Sequence, residues 1–340
     1  MDAEERVAAG AVGIRGAWLV RLLRVLLVQR EAALVVFIAI IGAVMTWLTP
    51  TFLTVGNLEA VGLGLSSDGV IAIGMTFLLA AGLFDLSVGS VLAFGGITAG
   101  FFDVHGIPAA LAIVIALLLS GGIGLLNGLL VTKARINCFI ETLGMLSILE
   151  GIVLLIGGGF GISNLSPAFD VIGQGQVGTV QYPILITIGL AIVGDFLMRK
   201  SRLARYAYYV GGNAKAARLT GINVDRVVLF GFFLTALLAG FSGIVETARF
   251  GSASVSVGAN TPLNVIAEVV IGGAALSGGS GTVLGSLLGV LLLQLILNAL
   301  NLLGVATYWQ PVAAGIVLIS AVGFDTLTSR IDFQKLGMRR

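Results

Sequence analysis

Seven acidic side chains lie in or near apolar stretches of this sequence, and their position there is its most unusual chemical feature. A carboxylate in hydrocarbon costs several kcal/mol, so such a residue normally faces a pore or a partner, or takes up a proton. The pattern therefore predicts either an aqueous path or a relay of protons. The seven residues are Asp68, Asp85, Glu141, Glu150, Asp195, Glu246 and Glu268.

Asp85 stands between two apolar runs, in the sequence Gly-Leu-Phe-Asp-Leu-Ser-Val-Gly of residues 82–89. One interpretation is structural: its carboxylate accepts hydrogen bonds from the backbone amides of residues 87–89 at the start of a helix. The other interpretation places Asp85 at a gate of a membrane path.

Two further acids also have alternative interpretations. Glu246 and Arg249 are three residues apart, which favours a structural ion pair on one helix. Glu268 lies in a short span beside Asn264, where it serves either a path or a hydrogen bond between helices.

Several kinds of catalytic site are absent from the sequence. There is no Gly-Lys pair and therefore no P-loop, so we expect any ATP to be bound by a partner subunit. Hydrolase and metalloprotease signatures are missing, and the chain has one cysteine and one histidine, Cys138 and His105. We expect no cofactor, no metal site and no enzymatic activity.

A polar stretch at residues 211–226 interrupts the apolar sequence. Asn213 is a favourable N-cap, residues 214–220 favour a helix, and Gly221 can adopt the left-handed conformation that ends one. The pattern predicts a helix of about two turns, which is far too short to cross a bilayer.

The charges of this short helix predict that it lies outside the hydrocarbon, because Lys215 and Arg218 resist insertion. Our hypothesis is a docking helix, through which a separate motor subunit moves the membrane domain. The alternative is a solvated loop that only joins two spans.

The composition indicates a membrane protein. Of the 340 residues, 57% are hydrophobic and 11% are charged, and the mean hydropathy is +1.07, whereas soluble domains carry roughly a quarter charged residues. The net charge of +2 gives no support to nucleic-acid binding. We predict an all-α, polytopic membrane protein with a single membrane domain.

Three regions are predicted along the chain. Residues 1–31 form a basic amphipathic segment on the cytoplasmic face, residues 32–327 the transmembrane domain, and residues 328–340 a cytoplasmic tail. Within the membrane domain we predict about ten spans. They cover residues 32–49, 57–82, 87–102, 107–131, 138–156, 182–198, 227–247, 263–276, 282–303 and 309–327.

The distribution of charge predicts the orientation. Every Lys and Arg except Arg249 falls in the N-terminal segment, the loops at 132–137 and 199–226, or the C-terminal tail. Basic loops face the cytoplasm, so both termini are expected there. Residues 157–181 then form the largest external segment. The loops on that side carry Glu59, Asp103 and Asp170.

Two of the predicted spans are irregular. Residues 263–276 are too few for a straight span and contain glycine pairs, whereas residues 57–82 are too many and contain Ser66, Ser67 and Asp68. Broken helices at membrane depth lie against protein or a watery cavity, so both are expected to border a path. A weak echo between residues 89–92 and 281–284 suggests a duplication, whose halves are parallel or inverted.

Several motifs resemble the permease subunits of ribose-type sugar ABC importers, and the resemblance extends from about residue 32 to residue 326. They are Gly74-Met75-Thr76, Asp85-Leu86-Ser87-Val88-Gly89-Ser90, Asn127-Gly128-Leu129-Leu130-Val131, Phe139-Ile140, Thr142-Leu143-Gly144, Gly211 through Asn223-Val224-Asp225-Arg226, Ala248-Arg249, Val269-Val270-Ile271-Gly272-Gly273, Leu276-Ser277-Gly278-Gly279 and Asn301-Leu302-Leu303-Gly304-Val305.

This resemblance implies a transport subunit of the bacterial inner membrane. It implies that two permeases pair, as identical copies or paralogues, that cytoplasmic ATPase subunits power them, and that an extracytoplasmic binding protein delivers a small sugar. The helix at 213–221 then resembles the coupling helix that enters a groove of the ATPase. Its coupling residues would be Asn213, Lys215, Arg218 and Gly221.

A sugar path should show small, hydroxyl and amide residues, and the mechanism implied is alternating access. The candidates are Asp85, Ser87, Ser90, Asn127, Asn264, Glu268 and Asn298. The family usually has a small residue at Leu83 and Asp at Asn264, so this chain departs from it there. The alternative is a proton-coupled transporter that uses Glu268, Glu141 or Asp68, and an intramembrane enzyme is far less favoured.

Overall fold

The computed structural model describes residues 30–330 and is built almost entirely of helices. Residues 1–29 of the predicted N-terminal amphipathic segment and residues 331–340 of the predicted tail lie outside the described residues. The helices are α1 Arg30–Leu48, α2 Val55–Ala80, α3 Val88–Val104, α4 Ala109–Thr132, α5 Cys138–Ile156, α6 Pro167–Gln174, α7 Tyr182–Lys200, α8 Arg202–Leu219, α9 Val224–Phe250, α10 Thr261–Ile271, α11 Val283–Leu302 and α12 Trp309–Arg330.

Four two-residue strands form two small antiparallel ribbons. Strand β1, Ile162–Ser163, pairs with β4, Ser252–Ala253. Strand β2, Gln176–Val177, pairs with β3, Val180–Gln181. The first ribbon ties the segment after α5 to the segment after α9.

All ten spans predicted from the sequence are helices, and the all-α membrane fold is confirmed. Seven helices of the described part are long and apolar enough to cross a membrane, by length and composition. Three shorter apolar helices, Val88–Val104, Thr261–Ile271 and Trp309–Ser320, account for the other three spans. Of the two spans predicted to be broken, the one at 263–276 contains the short helix α10, which ends at Ile271. The prediction for residues 57–82 was wrong: α2 is continuous from Val55 to Ala80, because its polar residues Ser67 and Asp68 are hydrogen-bonded to neighbouring helices.

The core of the bundle is formed by α2, α3 and α9. Most of α2 and α9 is buried, with Ile71, Met75 and Phe232 fully enclosed. Helices in a membrane associate through close packing at small residues, and here Gly95 of α3 lies against Gly240 of α9. By contrast, α1 and α7 are largely exposed and apolar, as expected of the lipid-facing layer.

The loops divide between two ends of the bundle. At one end Gly279 donates from its backbone N to the carbonyl of Ala80, and Lys133 pairs with Asp225. We call this the basic end, because it also carries the loop at 199–226. At the acidic end, Asp103 accepts hydrogen bonds from Ser166.

The structure corrects two details of the sequence interpretation. The basic stretch after α7 is mostly the helix α8, not a loop, because Ser201 accepts from the backbone N of Ala204 and starts a new helix directly after α7. The segment at 157–181 contains the short helix α6, which begins at Pro167 behind the N-cap Ser166.

Candidate coupling and solute-path sites

The second half of α8, residues 214–219, has the geometry predicted for the short polar helix, and we call it the coupling helix. Asn213 has extended backbone angles (φ −162°, ψ 97°) that separate it from the first half, and its Oδ1 accepts from the backbone N of Ala216 at 3.0 Å. At the other end Gly221 is left-handed (φ +85°), which favours glycine. Both ends are therefore fixed by their own sequence.

The coupling helix presents an exposed surface at the basic end. Ala217 is buried against the bundle, whereas Lys215 is exposed and 90% of Leu219 is accessible. Arg218 Nη2 is 3.4 Å from Asp225 Oδ1, and Lys133 Nζ is 2.8 Å from the other oxygen of that carboxylate. Asp225 therefore connects the coupling helix to the loop after α4.

The base of the coupling helix is joined to the membrane domain through backbone contacts. Gly211 packs against the carbonyl of Ala80 at the end of α2 and against the backbone N of Gly279. Tyr208 of α8 donates its hydroxyl to the carbonyl of Gly281 at 2.7 Å. Helix α8 is thus in direct contact with α2 and with the loop between α10 and α11.

Three of the predicted path residues form a buried network near the basic end. Asp85 Oδ1 accepts from the backbone N of Ser87 at 2.7 Å and from its hydroxyl at 2.6 Å. These hydrogen bonds at the start of α3 agree with the structural interpretation of Asp85. Asn127 of α4 lies between this pair and Glu141: its amide group is 3.0 Å from Ser87 Oγ on one side and 3.2 Å from Glu141 Oε1 on the other.

Glu246 and Arg249 are arranged differently from the predicted ion pair. Both lie in the described part of the chain, which contains no direct salt bridge between them. Instead Glu246 Oε2 accepts from Ser67 Oγ at 3.1 Å, and the Arg249 guanidinium lies 5.0 Å from the centre of the Phe250 ring. The two side chains line a small cleft together with Ser242.

Glu268 is fully buried between α2, α10 and α11. Within residues 30–330 neither of its carboxyl oxygens has a hydrogen-bond partner. Asp68 of α2 is near enough for the two charges to interact, and it accepts from Gln294 Nε2 at 2.9 Å. In this conformation Glu268 is enclosed by the protomer and does not line an open path.

The remaining candidates lie elsewhere. Asn298 and Asn57 exchange hydrogen bonds between their amides, at 2.7 and 3.1 Å, where α2 begins and α11 ends. Ser90 is buried in α3 and Asn264 is half-buried on α10. The structure thus groups the path candidates into separate sets and does not bring them into one site.

At the acidic end, residues 157–181 are held against the bundle. Asp103 of α3 is buried and its carboxylate accepts from the backbone N of Ser166 at 2.6 Å and from its hydroxyl at 2.7 Å. Desolvation by burial, and then the negative charge of Asp103, raise the pKa of the Asp170 carboxyl on α6. The segment at 157–181 is therefore anchored at its N-cap and through β1.

Several residues of these sites were not found by sequence reasoning. Gln294, Tyr208 and Lys133 are single polar residues whose partners are more than 70 positions away along the chain. Nothing in the sequence around Leu219 indicates that this leucine is exposed. Only the tertiary contacts distinguish these residues from their neighbours.

Comparison with known proteins identifies permease components of transport systems. Residues 65–322 match the family described as the permease component of branched-chain amino acid transport systems. The chain is 36% identical to the ribose import permease protein RbsC of Escherichia coli K12 over 87% of its length and 94% of that protein. It is also 36% identical to RbsC of Bacillus subtilis, over 84% and 89% of the two chains.

A third relative has a different sugar in its name. The chain is 34% identical to the L-arabinose ABC transporter permease protein AraH of Azospirillum brasilense, over 88% of each chain. No solved structure matches the chain significantly. The resemblance inferred from the motifs is confirmed.

Proposed function

Because the chain belongs to the family of transport-system permease components and is related to ribose and arabinose permeases, we propose that it is the membrane subunit of an ATP-driven importer of a small sugar. The observation that carries the proposal is the similarity to those permeases over nearly the whole chain. The solute is a pentose or a related polyhydroxylated molecule.

The coupling helix supports the role of a separate ATPase subunit. It is short, capped at both ends and exposed, and its base is packed on the membrane domain through Gly211. We propose that the ATPase grips residues 214–221, with Lys215 and Arg218 on its acidic groups, while Asn213 and Gly221 fix the ends of the helix. ATP is bound by that partner.

Orientation follows from charge. The basic end carries nine Lys and Arg residues between Lys133 and Arg226, whereas the acidic end carries Asp103 and Asp170. Because basic loops face the cytoplasm, the basic end is cytoplasmic and residues 157–181 face outward. The chain then resides in the bacterial inner membrane with both termini inside. A solute-binding protein docks on the outer face, and a second permease copy or a paralogue completes the path.

Transport proceeds by alternating access in this proposal. Closure of the ATPase subunits moves the coupling helices, and Gly211 and Tyr208 transmit the displacement to α2 and to the loop after α10. The short helix α10 is joined to that loop. Its movement opens the path to one side of the membrane at a time.

The test is uptake of labelled D-ribose and L-arabinose into vesicles that contain the purified chain. We expect uptake only when the ATPase subunit and the solute-binding protein of the same system and ATP are supplied. A pH gradient alone should give none.

One observation favours a second candidate. Glu268 is buried without a hydrogen-bond partner in the described chain, close to Asp68, which suits a proton-coupled transporter in which these carboxyls carry the proton. That transporter would accumulate sugar in vesicles with a pH gradient and no partner subunit. The same uptake experiment therefore separates the two candidates, since this result would exclude the ATP-driven proposal.

A further inference from the structure

A non-helical segment, residues 254–260, enters the membrane domain between α9 and α10. It begins after Ala253, which lies beside Gly100 of α3, and reaches Gly258, whose backbone contacts that of Gly89. Gly89 and Gly100 are eleven residues apart on α3, so the segment descends about 16 Å along this helix.

The depth of the segment follows from the same contacts. Helix α3 ends at Val104, fifteen residues or about 22 Å above Gly89. With the end of α3 at the membrane surface, Gly258 lies within a hydrocarbon core about 30 Å thick. Another irregular segment, residues 81–87, leads to Gly89 from the basic end. Two interrupted stretches therefore meet at membrane depth.

The descending segment is both polar and exposed. Ser254, Ser256 and Asn260 are exposed on the protomer, and Asn264 follows as a half-buried residue one turn into α10. The hydroxyls of Ser254 and Ser256 are 3.1 Å apart and form one polar edge. By contrast, the exposed residues of α7, such as Ile192, are apolar.

Lipid cannot cover such a surface. Irregular backbone at membrane depth occurs only where it is buried in protein or lines a water-filled cavity, because unsatisfied amide and carbonyl groups cost several kcal/mol each in hydrocarbon. Hydroxyl and amide side chains both donate and accept hydrogen bonds, as do the hydroxyl groups of a sugar.

We infer that Ser254, Ser256, Asn260 and Asn264 form one wall of the aqueous path, and that they present hydroxyl and amide groups to a polyhydroxylated solute. The solute class rests on the proposed function, whereas the path itself does not. Of the path candidates from the sequence, only Asn264 belongs to this wall.

The experiment is the accessibility of single cysteines in the full chain, reconstituted in lipid nanodiscs without partner subunits. The native thiol is first removed by Cys138→Ser, which keeps a donor for the carbonyl of Phe84, to which Cys138 Sγ donates at 2.9 Å. Ser256→Cys is then compared with Ile192→Cys, on the exposed apolar face of α7. Asn260→Cys provides a second wall position if Ser256→Cys does not fold.

The probe is a water-soluble, positively charged methanethiosulfonate. The thiolate is the reactive form and an apolar environment disfavours it, so each unit of pKa costs about tenfold in rate. We expect the cysteines at 256 and 260 to react at least about tenfold faster than the one at 192. Equal, slow reaction at all three would overturn the inference, since it would mean that lipid or a second copy covers the wall.

A second arm tests the class of solute. D-ribose or L-arabinose at high concentration should slow the reaction at position 256, while the reaction of an exposed cysteine at position 215, on the coupling helix, stays unchanged. Fast reaction at 256 that neither pentose slows would reject the polyhydroxylated solute at this wall. That result would leave ATP-driven uptake of another solute to be decided by the vesicle assay.

Discussion

Leu219 offers a direct test of the coupling surface. It is the last residue of α8, and 90% of it is exposed in the protomer although it is a leucine at the end of a basic helix. Burying a leucine side chain completely in an interface contributes about 1.5–3 kcal/mol. Replacing it with Asp removes this contribution and adds a carboxylate that must lose water.

The expected effect can be worked out from that range. Because about 1.4 kcal/mol corresponds to a tenfold change in Kd, Leu219→Asp should weaken binding of the ATPase subunit by about ten- to a hundredfold. ATP-driven sugar uptake into vesicles should fall in parallel at subsaturating ATPase. The assays are a titration of the chain in nanodiscs with purified ATPase subunit, and uptake of labelled pentose.

A matched control is Leu303→Asp. Leu303 is also an exposed leucine at a helix end, with 51% exposure, but it follows α11 at the opposite end of the bundle. We expect its affinity for the ATPase to stay within about twofold of the wild type, because no contribution near 1.4 kcal/mol is lost. Tight binding by Leu219→Asp, or equal loss in both variants, would refute the assignment of this surface.

Two further predictions concern the ends of the coupling helix. Asn213→Ala removes the N-cap and should destabilise the helix by about 1 kcal/mol. The expected results are faster hydrogen exchange at residues 214–216 and reduced ATP-driven uptake. Asn213→Ser should keep both at the wild-type level, because serine also caps helices. Gly211→Ala places a Cβ against the carbonyl of Ala80 and should reduce the stability of the folded chain by about 1–3 kcal/mol, which lowers the midpoint of thermal unfolding in detergent. In Gly212→Ala the added Cβ has no neighbour within 4 Å, so the midpoint should stay unchanged. Equal unfolding midpoints for the two alanine variants would contradict the tight junction.

The sequence was sufficient for the fold class and for the ends of the short helix at residues 214–219. Hydrophobic runs of span length are a property of composition and spacing, so the ten helices could be located without tertiary information. The coupling helix was equally local, because an N-cap residue and a left-handed glycine act within a few positions of themselves. Asn213 caps the start of the helix and Gly221 adopts the left-handed conformation at its end, as their residue types favour.

Sequence reasoning was less informative about the acidic residues. It predicted a pair between Glu246 and Arg249 from their spacing, but Ser67, a residue of another helix, is the partner of Glu246 in the structure. Asp85 and Asn127 are 42 positions apart, and nothing local in either sequence shows that they belong to one network with Ser87. These partners are brought together by packing between helices that are distant in the sequence.

The sequence by itself determined that the chain spans a membrane, where its apolar helices lie, and where its positive charge collects, because each of these depends on residues close together in the chain. Only the tertiary structure decided that the polar segment from Ser254 to Asn260 enters the bundle, and that α8 rests on the ends of α2 and the loop after α10. Those arrangements depend on backbone contacts such as Gly89 with Gly258 and Gly211 with Ala80. Such contacts join positions more than a hundred residues apart, and no local propensity records them.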